Sequence, residues 1–304
     1  MDTQITVKAP ATTANLGPGF DCMGMALDLW NKTTFKIINK KENLIEISGE
    51  GQDKISKDSK NLILKSFKIP FNKANINPPT IKINCFNQIP IGKGLGSSSA
   101  AIVSGLIAGN ELSGRKLSKK DLLILANSLE GHPDNISAAI SGGCQITIQD
   151  GKNLISSNIP ISDKISTILF IPETETTTEA SRKKLPNKIP IEDAVYNISR
   201  TGLLVKSLIN DEFDNLHLAT QDKLHQPYRF LENPRIKNVF KAAISSGALA
   251  VFLSGSGPTV LALAKNREFT IGYEMADAAA KSNIKGNIKI TKPTIKGSYV
   301  VENK

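Results

Sequence analysis

The residues best suited to chemistry are three glycines and three serines that stand close together in the segment Pro90–Ala100. This segment reads Pro-Ile-Gly-Lys-Gly-Leu-Gly-Ser-Ser-Ser-Ala and leads into an apolar run. Glycines let a backbone approach a ligand closely, and serines are common where a helix begins. The first N–H groups of a helix lack partners inside it and lie at the positive end of its dipole. The segment is therefore predicted to be a loop that binds phosphate at the start of a helix.

The spacing of these residues differs from that of the commoner phosphate loops. A Walker A loop needs Gly-Lys followed by Ser or Thr, whereas here Lys93 precedes Gly94. The dinucleotide fingerprint places its third glycine three residues after the second, whereas Gly96 comes two residues after Gly94. The glycine-rich loop of protein kinases is excluded for the same reason. The remaining structural alternative is an ordinary Gly/Ser turn in front of a buried helix.

The composition is typical of a soluble globular protein. Of 304 residues, 40% are hydrophobic and 22% are charged, which allows one large or two ordinary domains with real cores. No apolar run approaches the length of a membrane span, and the N-terminus lacks the apolar core of a signal peptide. Cys22, Cys85 and Cys144 lie far apart without metal-ligand spacing, as expected of reduced thiols. We therefore expect a cytoplasmic protein with no membrane partner.

The net charge of +10 makes nucleic-acid binding by a basic protein one alternative. The lysines are scattered along the chain, however, and no basic stripe alternates with aromatic residues, which make up only 5%. We therefore expect solvated lysine-rich faces and no nucleic-acid partner. A positive field would still raise the encounter rate with an anionic substrate such as ATP.

Strand and helix patterns are mixed in both halves of the chain, which predicts an α+β fold of two units packed side by side. A capping box at Ser118–Asp121 begins a helix that runs toward Glu130, and Pro133 suits the first turn of the next helix. The second unit is expected to begin near residues 156–163. Predicted strands cover 3–9, 33–38, 44–48, 80–84, 144–149, 165–171, 248–253 and 259–264, with further strands toward Val301. Other predicted helices cover 59–72, 98–112, 192–209, 235–246 and 271–281, and residues 11–20 are expected to form a turn-rich loop.

Five segments of the chain carry a resemblance to a known family. They are Pro10–Asp21, which ends in Asn-Leu-Gly-Pro-Gly-Phe-Asp, Pro90–Ala100, Glu130-Gly-His-Pro-Asp-Asn135, Leu224-His-Gln-Pro-Tyr-Arg229 and Leu253–Val260. With them the chain resembles the GHMP small-molecule kinases over essentially its whole length, and within these the homoserine kinase family. The resemblance implies a two-domain GHMP kinase fold. Residues 1–158 would form an N-terminal ATP-binding domain like the second domain of ribosomal protein S5, and residues 159–304 a C-terminal ferredoxin-like domain, with the ligands in the cleft between them.

The activity implied by the resemblance is ATP-dependent phosphorylation of the side-chain hydroxyl of L-homoserine to O-phospho-L-homoserine, in threonine biosynthesis. The cofactors would be ATP and Mg²⁺, the partner is a small-molecule substrate, and the oligomeric state stays open, with a homodimer as one option. Three alternatives remain: a GHMP kinase for shikimate, mevalonate or a sugar, a non-catalytic GHMP-like regulator, and a nucleic-acid-binding protein like ribosomal protein S5. A sugar has no carboxylate for an arginine pair to bind, and a regulator need not keep magnesium ligands.

The resemblance also assigns residues to ATP and its metal ion. Ser98 and Glu130 would be the magnesium ligands, and Mg²⁺ favours oxygen ligands, few of them from protein, together with substrate phosphates. The structural alternatives are a helix cap for Ser98 and a solvated helix end for Glu130. The implied ATP-binding residues are Pro90, Ile91, Gly92, Lys93, Gly94, Leu95, Gly96, Ser97, Ser98, Ser99 and Ala100.

Homoserine carries an ammonium, a carboxylate and a hydroxyl group, so its site needs acidic, cationic and small polar side chains. By resemblance, Arg182 and Arg229 bind the α-carboxylate, and arginine suits this task because its planar fork can contact both oxygens. A surface ion pair is the structural alternative for either arginine. The other implied substrate-binding residues are Asn15 and Asp21 at the amine and hydroxyl end, His132, Asp134 and Asn135 along the pocket, and Thr178 one helical turn before Arg182.

The catalytic residues implied by the resemblance are Asn135 and Asp21. Asn135 aligns with the position at which galactokinase and mevalonate kinase carry an aspartate, but an amide cannot accept a proton at neutral pH. Asp21 is the nearest alternative base, although its matched role is substrate binding. We therefore expect little base catalysis, with the hydroxyl proton leaving late and directly to phosphate.

Overall fold

The computed structural model describes residues 3–302, and within them the chain forms two β-sheets. The main path of the larger sheet runs β11-β1-β2-β4-β3, while β5 joins β2 and β6 joins β5. In this sheet β3 and β4 pair in parallel, and the other described pairs are antiparallel. Its strands are β1 (Gln4–Ala14), β2 (Met23–Ile37), β3 (Leu44–Gly49), β4 (Ile81–Asn87), β5 (Cys144–Asp150), β6 (Asn153–Ile159) and β11 (Tyr299–Val300).

β2 organises the larger sheet, because its two ends pair with different neighbours. Residues Met23–Met25 pair with β5, whereas Lys32–Ile37 pair with β4. The sequence predicted only the second part, at 33–38, and β1 likewise continues to Ala14, so part of the predicted loop 11–20 is strand. Residues 11–14 of β1 and 23–27 of β2 are buried on both faces, so they lack the alternation of polar and apolar residues that signals a half-buried strand.

Four helices pack against the larger sheet and against one another: α1 (Leu62–Lys73), α2 (Ser97–Leu112), α3 (Lys119–Glu130) and α4 (Pro133–Ser141). The capping box predicted for α3 is confirmed, since Ser118 and Asp121 each accept a hydrogen bond from the other's backbone N–H. Gly105 and Gly109 weaken the helix propensity of α2. A Cβ at either position would lie 2.4 or 2.2 Å from a carbonyl oxygen of α1, so the two glycines let these helices pack closely.

The smaller sheet has the order β10-β7-β9-β8, and its described pairs are antiparallel. Its strands are β7 (Ser166–Pro172), β8 (Ala250–Leu253), β9 (Val260–Ala264) and β10 (Gly286–Thr291), and the helices α9 (Ile236–Ser245) and α10 (Glu268–Lys281) bury their apolar sides against it. This β-α-β-β-α-β arrangement is ferredoxin-like, as the resemblance implies. Between β7 and β8 the chain also forms α5 (Thr178–Arg182), α6 (Ile191–Ile209), a 3₁₀ turn (Phe213–Asn215), α7 (Leu216–Ala219) and α8 (Gln226–Arg229).

Apolar residues of both sheets join in one core where the two halves of the chain meet. Met25 of β2 shares this core with Leu169 of β7 and Phe252 of β8. β6 of the larger sheet pairs with β5 as far as Ile159, and β7, the first strand of the smaller sheet, starts at Ser166. β11 then returns to pair with β1. The division into 1–158 and 159–304 stays a prediction.

Two further features concern membrane-spanning helices and the cysteines. Within the described part of the chain, no helix combines the length and the apolar character needed to cross a bilayer.

Cys85 and Cys144 are buried free thiols, whereas Cys22 is half-buried. Burial raises the pKa of both buried thiols to about 12, so they are protonated and inert at neutral pH.

Candidate active site

The loop Pro90–Ala100 lines a cavity of about 300 Å³ to which both halves of the chain contribute residues. Its three glycines have left-handed φ angles between +67° and +73°. The last of them, Gly96, is the N-cap of α2, so the open N–H groups of the first helical turn lie beside the cavity. α2 begins at Ser97, one residue before the predicted start, so the predicted helix is confirmed. Among the described residues no side chain caps this end of the helix. The arrangement is one that binds an anion such as phosphate.

Gly94 lies against the turn that joins β8 to β9, and its backbone approaches that turn closely. A Cβ at Gly94 would lie 2.2 Å from the carbonyl oxygen of Ser254 and 2.8 Å from that of Gly257. We therefore expect Gly94→Ala to destabilise the protein by about 2 kcal/mol or more, because overpacking adds to the strain of a positive φ angle. Thermal unfolding and a titration with ATP measure the effect.

The matched control is Gly114→Ala. Gly114 also has a positive φ angle, +100°, but no atom of residues 3–302 lies within 4 Å of a Cβ placed there. This variant should lose only the stability that the φ angle costs and should bind ATP normally. Equal losses in the two variants would contradict a role for close approach at Gly94.

Lys93 ties the phosphate loop to the end of β7. Its ammonium donates hydrogen bonds to the carbonyl oxygens of Glu173, at 2.6 Å, and Thr174, at 2.8 Å. Nearby, the N–H of Thr176 donates to the carbonyl oxygen of Gly92 at 3.0 Å. Burial of the ammonium lowers the pKa of Lys93, with nearby acidic side chains opposing the change. The ATP-binding role that the resemblance implies for Lys93 stays a prediction, and the structure shows that its ammonium joins the loop to the end of β7.

We expect Lys93→Met, which keeps the length of the side chain but removes the ammonium, to destabilise the protein by about 1–3 kcal/mol. The reason is that two carbonyl oxygens lose their donor in a buried place. Because the loop is then held to the segment after β7 less firmly, the KM for ATP should rise. Chemical denaturation and steady-state kinetics measure these changes.

Lys54→Met is a control for the same segment. Lys54 pairs with Glu175 at 2.5 Å, but both side chains are largely exposed, so the loss should be small. If the two methionine variants behave alike, the buried position of the Lys93 ammonium is not what couples the loop to β7.

Ser98 and Glu130 come together at the start of α2 and the end of α3. The hydroxyl of Ser98 donates to Oε1 of Glu130 at 2.6 Å, and the hydroxyl of Ser99 donates to the same oxygen at 3.1 Å. Among residues 3–302 no group of three or more His, Cys, Asp and Glu side chains could form a metal cage. One carboxylate and one hydroxyl beside a phosphate loop do fit Mg²⁺, which completes its shell with phosphate oxygens and water.

Asp21 and Arg182 form a two-point ion pair at the other end of the cavity. Two N–H groups of Arg182 donate to the two carboxylate oxygens of Asp21, at 2.9 and 2.6 Å. These hydrogen bonds with Asp21 raise the pKa of Arg182. Asn15 holds the loop in place, since its amide oxygen accepts from the N–H of Asp21 and its amide nitrogen donates to the carbonyl oxygen of Gly255, both at 3.0 Å. A molecule that carries an ammonium and a carboxylate matches the two charges of this pair.

Arg229 is the second arginine of the cavity, and it is 8% exposed. Its Nη1 donates to the carbonyl oxygen of Gly255 at 2.5 Å and to Nδ1 of His225 at 2.9 Å. Its Nε is buried and has no hydrogen-bond partner among the described residues. Burial lowers the pKa of Arg229 to about 10, so the guanidinium is still a cation at neutral pH. A buried cation with an unpaired donor is suited to bind an anionic group.

The start of α4 places His132, Asp134 and Asn135 between the two ends of the cavity. Nδ1 of His132 lies 2.9 Å from Oδ1 of Asp134, and Thr12 donates its hydroxyl hydrogen to the amide oxygen of Asn135 at 2.7 Å. Burial alone would lower the pKa of His132, but the hydrogen bond and the charge of Asp134 outweigh it and raise the pKa. Thr178 lies on the exposed side of α5 and lines the same cavity.

Two kinds of cavity residue escape the sequence reasoning. Phe20 and His225 contact the arginines that line the cavity and belong to quoted motifs, but their side-chain types gave no reason to assign them a role. The apolar wall beyond the phosphate loop is built from separate elements, so no local motif marks it. Its residues include Ile47, Ile55, Leu62 and Cys85.

Comparison with known proteins gives consistent matches over the whole chain. Residues 61–143 match the family described as GHMP kinases N terminal domain, and residues 204–271 match GHMP kinases C terminal. The chain is 44% identical to the homoserine kinase of Caldanaerobacter subterraneus subsp. tengcongensis over 85% of this chain and 83% of that protein. It is 40% identical to the homoserine kinase of Moorella thermoacetica over 97% and 99% of the two chains. The crystal structure of homoserine kinase from Cytophaga hutchinsonii superposes with a TM-score of 0.89 at 30% identity, covering 98% and 97%.

Proposed function

The chain belongs to the homoserine kinase family of GHMP kinases, and from this premise we propose that it transfers the γ-phosphoryl group of ATP to the side-chain hydroxyl of L-homoserine. The product is O-phospho-L-homoserine, an intermediate of threonine biosynthesis. One observation carries the proposal: a single cavity is lined both by the phosphate loop with Ser98 and Glu130 and by the charged groups of Asp21, Arg182 and Arg229. A phosphoryl donor and a zwitterionic acceptor would meet in it.

ATP binds along the phosphate loop. The open N–H groups and the positive dipole end of α2 face the triphosphate, and the apolar wall near Ile47 and Leu62 suits the adenine ring. Ser98 and Glu130 would hold Mg²⁺ against the phosphate oxygens. When bound, Mg²⁺ would neutralise the charge on the transferring phosphoryl group.

Homoserine binds by taking over the partners of the Asp21–Arg182 pair. Its ammonium replaces the guanidinium at Asp21, and its carboxylate accepts N–H bonds from Arg182 and from the unpaired side of Arg229. Each charge therefore keeps an opposite charge throughout, so the exchange leaves no buried ion unpaired. His132, Asp134 and Thr178 complete the polar lining of this end.

The residues around the acceptor hydroxyl position it and do not remove its proton. Asn135 has a neutral amide and can only donate or accept hydrogen bonds, while Asp21 is engaged with the substrate ammonium. Because the transition state of phosphoryl transfer is loose, the hydroxyl proton leaves late and passes to the phosphoryl oxygens.

The proposal also covers the cellular compartment, the binding partners and the oligomeric state. We assign the reaction to the cytoplasm, because Cys85 and Cys144 are buried as free thiols, as is usual in a reducing compartment. ATP and L-homoserine are its small-molecule partners. Because the lysines are scattered along the chain, we expect no nucleic-acid partner. Either a monomer or a homodimer is compatible with a cavity lined by one chain.

ADP release in the presence of ATP, Mg²⁺ and one of four alcohols tests the substrate assignment. The alcohols are L-homoserine, shikimate, mevalonate and galactose. Rapid turnover with homoserine alone is the expected result, because among the four it alone carries both charges of an amino acid. Turnover of galactose or mevalonate in preference to homoserine would contradict the assignment, and so would no turnover with any of the four.

A further inference from the structure

Phe20 lies between the two arginines of the substrate end. The centroid of its ring is 5.6 Å from Cζ of Arg182 and 5.7 Å from Cζ of Arg229. An aromatic ring attracts a cation that lies within about 6 Å of its centroid. Two guanidinium groups that repel each other therefore share one ring.

The ring of Phe20 is itself stacked on the imidazole of His225. The two ring centroids are 5.3 Å apart, and the ring planes differ by 24°. His225 is 0% exposed, so the stack is closed to solvent on the imidazole side. Asp222 holds the backbone at this point, because its Oδ2 accepts the N–H groups of His225 and Gln226 at 3.0 and 2.7 Å.

The partners of His225 decide which of its ring nitrogens carries the proton. Nε2 lies 2.8 Å from the carbonyl oxygen of Gly17, and Nδ1 lies 2.9 Å from Nη1 of Arg229. A carbonyl oxygen can only accept and a guanidinium can only donate. Nε2 must therefore be protonated and Nδ1 must be the acceptor, which is one tautomer of the neutral ring. Burial lowers the pKa of His225 to about 4, in agreement with a neutral imidazole.

The bond to His225 also determines which side of Arg229 is open. Nη1 is occupied by His225 and by the carbonyl oxygen of Gly255. The side of the guanidinium that carries Nε has no partner at Nε among the described residues, although it is buried. The bond to His225 thus fixes the orientation of a guanidinium that lines the cavity and keeps an unused donor.

We propose that Phe20 and His225 are positioning residues that hold Arg182 and Arg229 at the spacing and orientation needed to bind one carboxylate. The proposal rests on the function proposed above, since it concerns the same substrate. Gly17 and Phe20 belong to the loop that carries Asp21, whereas His225 adjoins α8, which carries Arg229. The stack therefore also sets the distance between the groups that bind the ammonium and the carboxylate of homoserine.

Two substitutions at His225 separate its two hydrogen bonds. In His225→Asn the amide oxygen lies near the position of Nδ1 and still accepts from Arg229. In His225→Gln the amide nitrogen reaches the position of Nε2 and still donates to Gly17, but Arg229 loses its acceptor. We expect the glutamine variant to raise the KM for homoserine about tenfold and the asparagine variant about threefold or less, with the KM for ATP unchanged in both.

A third variant tests the aromatic ring, and two measurements separate positioning from damage to the fold. Phe20→Leu keeps an apolar side chain and should raise the KM for homoserine about five- to tenfold. The inhibition constant of 3-amino-1-propanol, which is homoserine without its carboxylate, should not change in the three variants. Thermal unfolding shows whether each variant is folded, and His217→Gln, the same substitution at an exposed histidine, is the control.

The outcomes are distinct. A larger KM effect for glutamine than for asparagine, confined to homoserine, supports the positioning role. Equal effects at His225, or equal losses for homoserine, ATP and 3-amino-1-propanol, overturn it and leave the proposed function intact. If His225→Gln does not fold, Phe20→Leu is the test: a rise in KM confined to homoserine supports the positioning role, and equal losses for homoserine, ATP and 3-amino-1-propanol overturn it. A parent protein that does not phosphorylate homoserine overturns the proposed function, and the positioning role with it.

Discussion

Replacing Glu130 by glutamine is expected to lower kcat by about 10²–10³-fold, while the KM for homoserine changes little. Glutamine has nearly the same shape as glutamate and can still accept the hydrogen bond from Ser98, which lies 2.6 Å away. It lacks the negative charge that would hold Mg²⁺ beside the triphosphate. The loss should therefore appear in the chemical step and in the magnesium dependence, and not in the recognition of the amino acid.

A magnesium titration of kcat measures the effect of Glu130→Gln. We expect the variant to need more Mg²⁺ for half-maximal rate and to regain only part of the lost activity at saturation. Glu111→Gln is a matched control near the end of α2, because among the described residues the Glu111 carboxylate pairs with the exposed Arg115, and the substitution should leave the kinetics unchanged. A variant at Glu130 with the parent's kcat at saturating Mg²⁺ would show that this carboxylate is not a metal ligand.

Replacing Arg182 by leucine should raise the KM for homoserine by about ten- to a hundredfold, since a hydrogen bond to a charged group contributes about 1.5–3 kcal/mol. The same substitution also frees Asp21, because both carboxylate oxygens of Asp21 accept their hydrogen bonds from Arg182. The variant should therefore bind 3-amino-1-propanol as well as the parent does, or better. Opposite changes for an amino acid and for its carboxylate-free analogue are the specific sign of carboxylate recognition.

The KM for homoserine and the inhibition constant of 3-amino-1-propanol, measured side by side, check this prediction. Arg229→Leu should act in the same direction, and the double variant should lose less than the sum of the two, because both arginines act on one group. Lys183→Leu is the control, since the Lys183 ammonium forms an exposed ion pair with Glu179 on the same short helix. Equal weakening of homoserine and of its analogue in folded arginine variants would argue against the carboxylate role.

The parts of the site that could be predicted from the sequence are those that depend on a local pattern. The phosphate loop is one of them, because Gly96 and the serines after it form a contiguous helix start, and the structure places them there. The capping box at Ser118 is another. The meeting of Ser98 with Glu130 came from the family resemblance, since nothing in the spacing of two residues 32 positions apart predicts contact.

The parts that could not be predicted depend on contacts between distant segments. His225 and Gly17 are 208 residues apart, and the role of His225 follows only from the two atoms that face its ring nitrogens. The hydrogen bonds of the Lys93 ammonium with the carbonyl oxygens at the end of β7 join residues about 80 positions apart, and no local pattern predicts them. The first half of β2 was missed for a related reason, because a strand buried on both faces has no alternating pattern.

The most direct test of the central claim is to identify the product formed from ATP, Mg²⁺ and L-homoserine by ³¹P NMR. We expect one new phosphomonoester signal, coupled to the protons of the side-chain CH₂ group and formed in equal amount with ADP. This result would place the transferred phosphoryl group on the hydroxyl oxygen of homoserine. Release of inorganic phosphate alone, or ADP formation that does not depend on homoserine, would contradict the account.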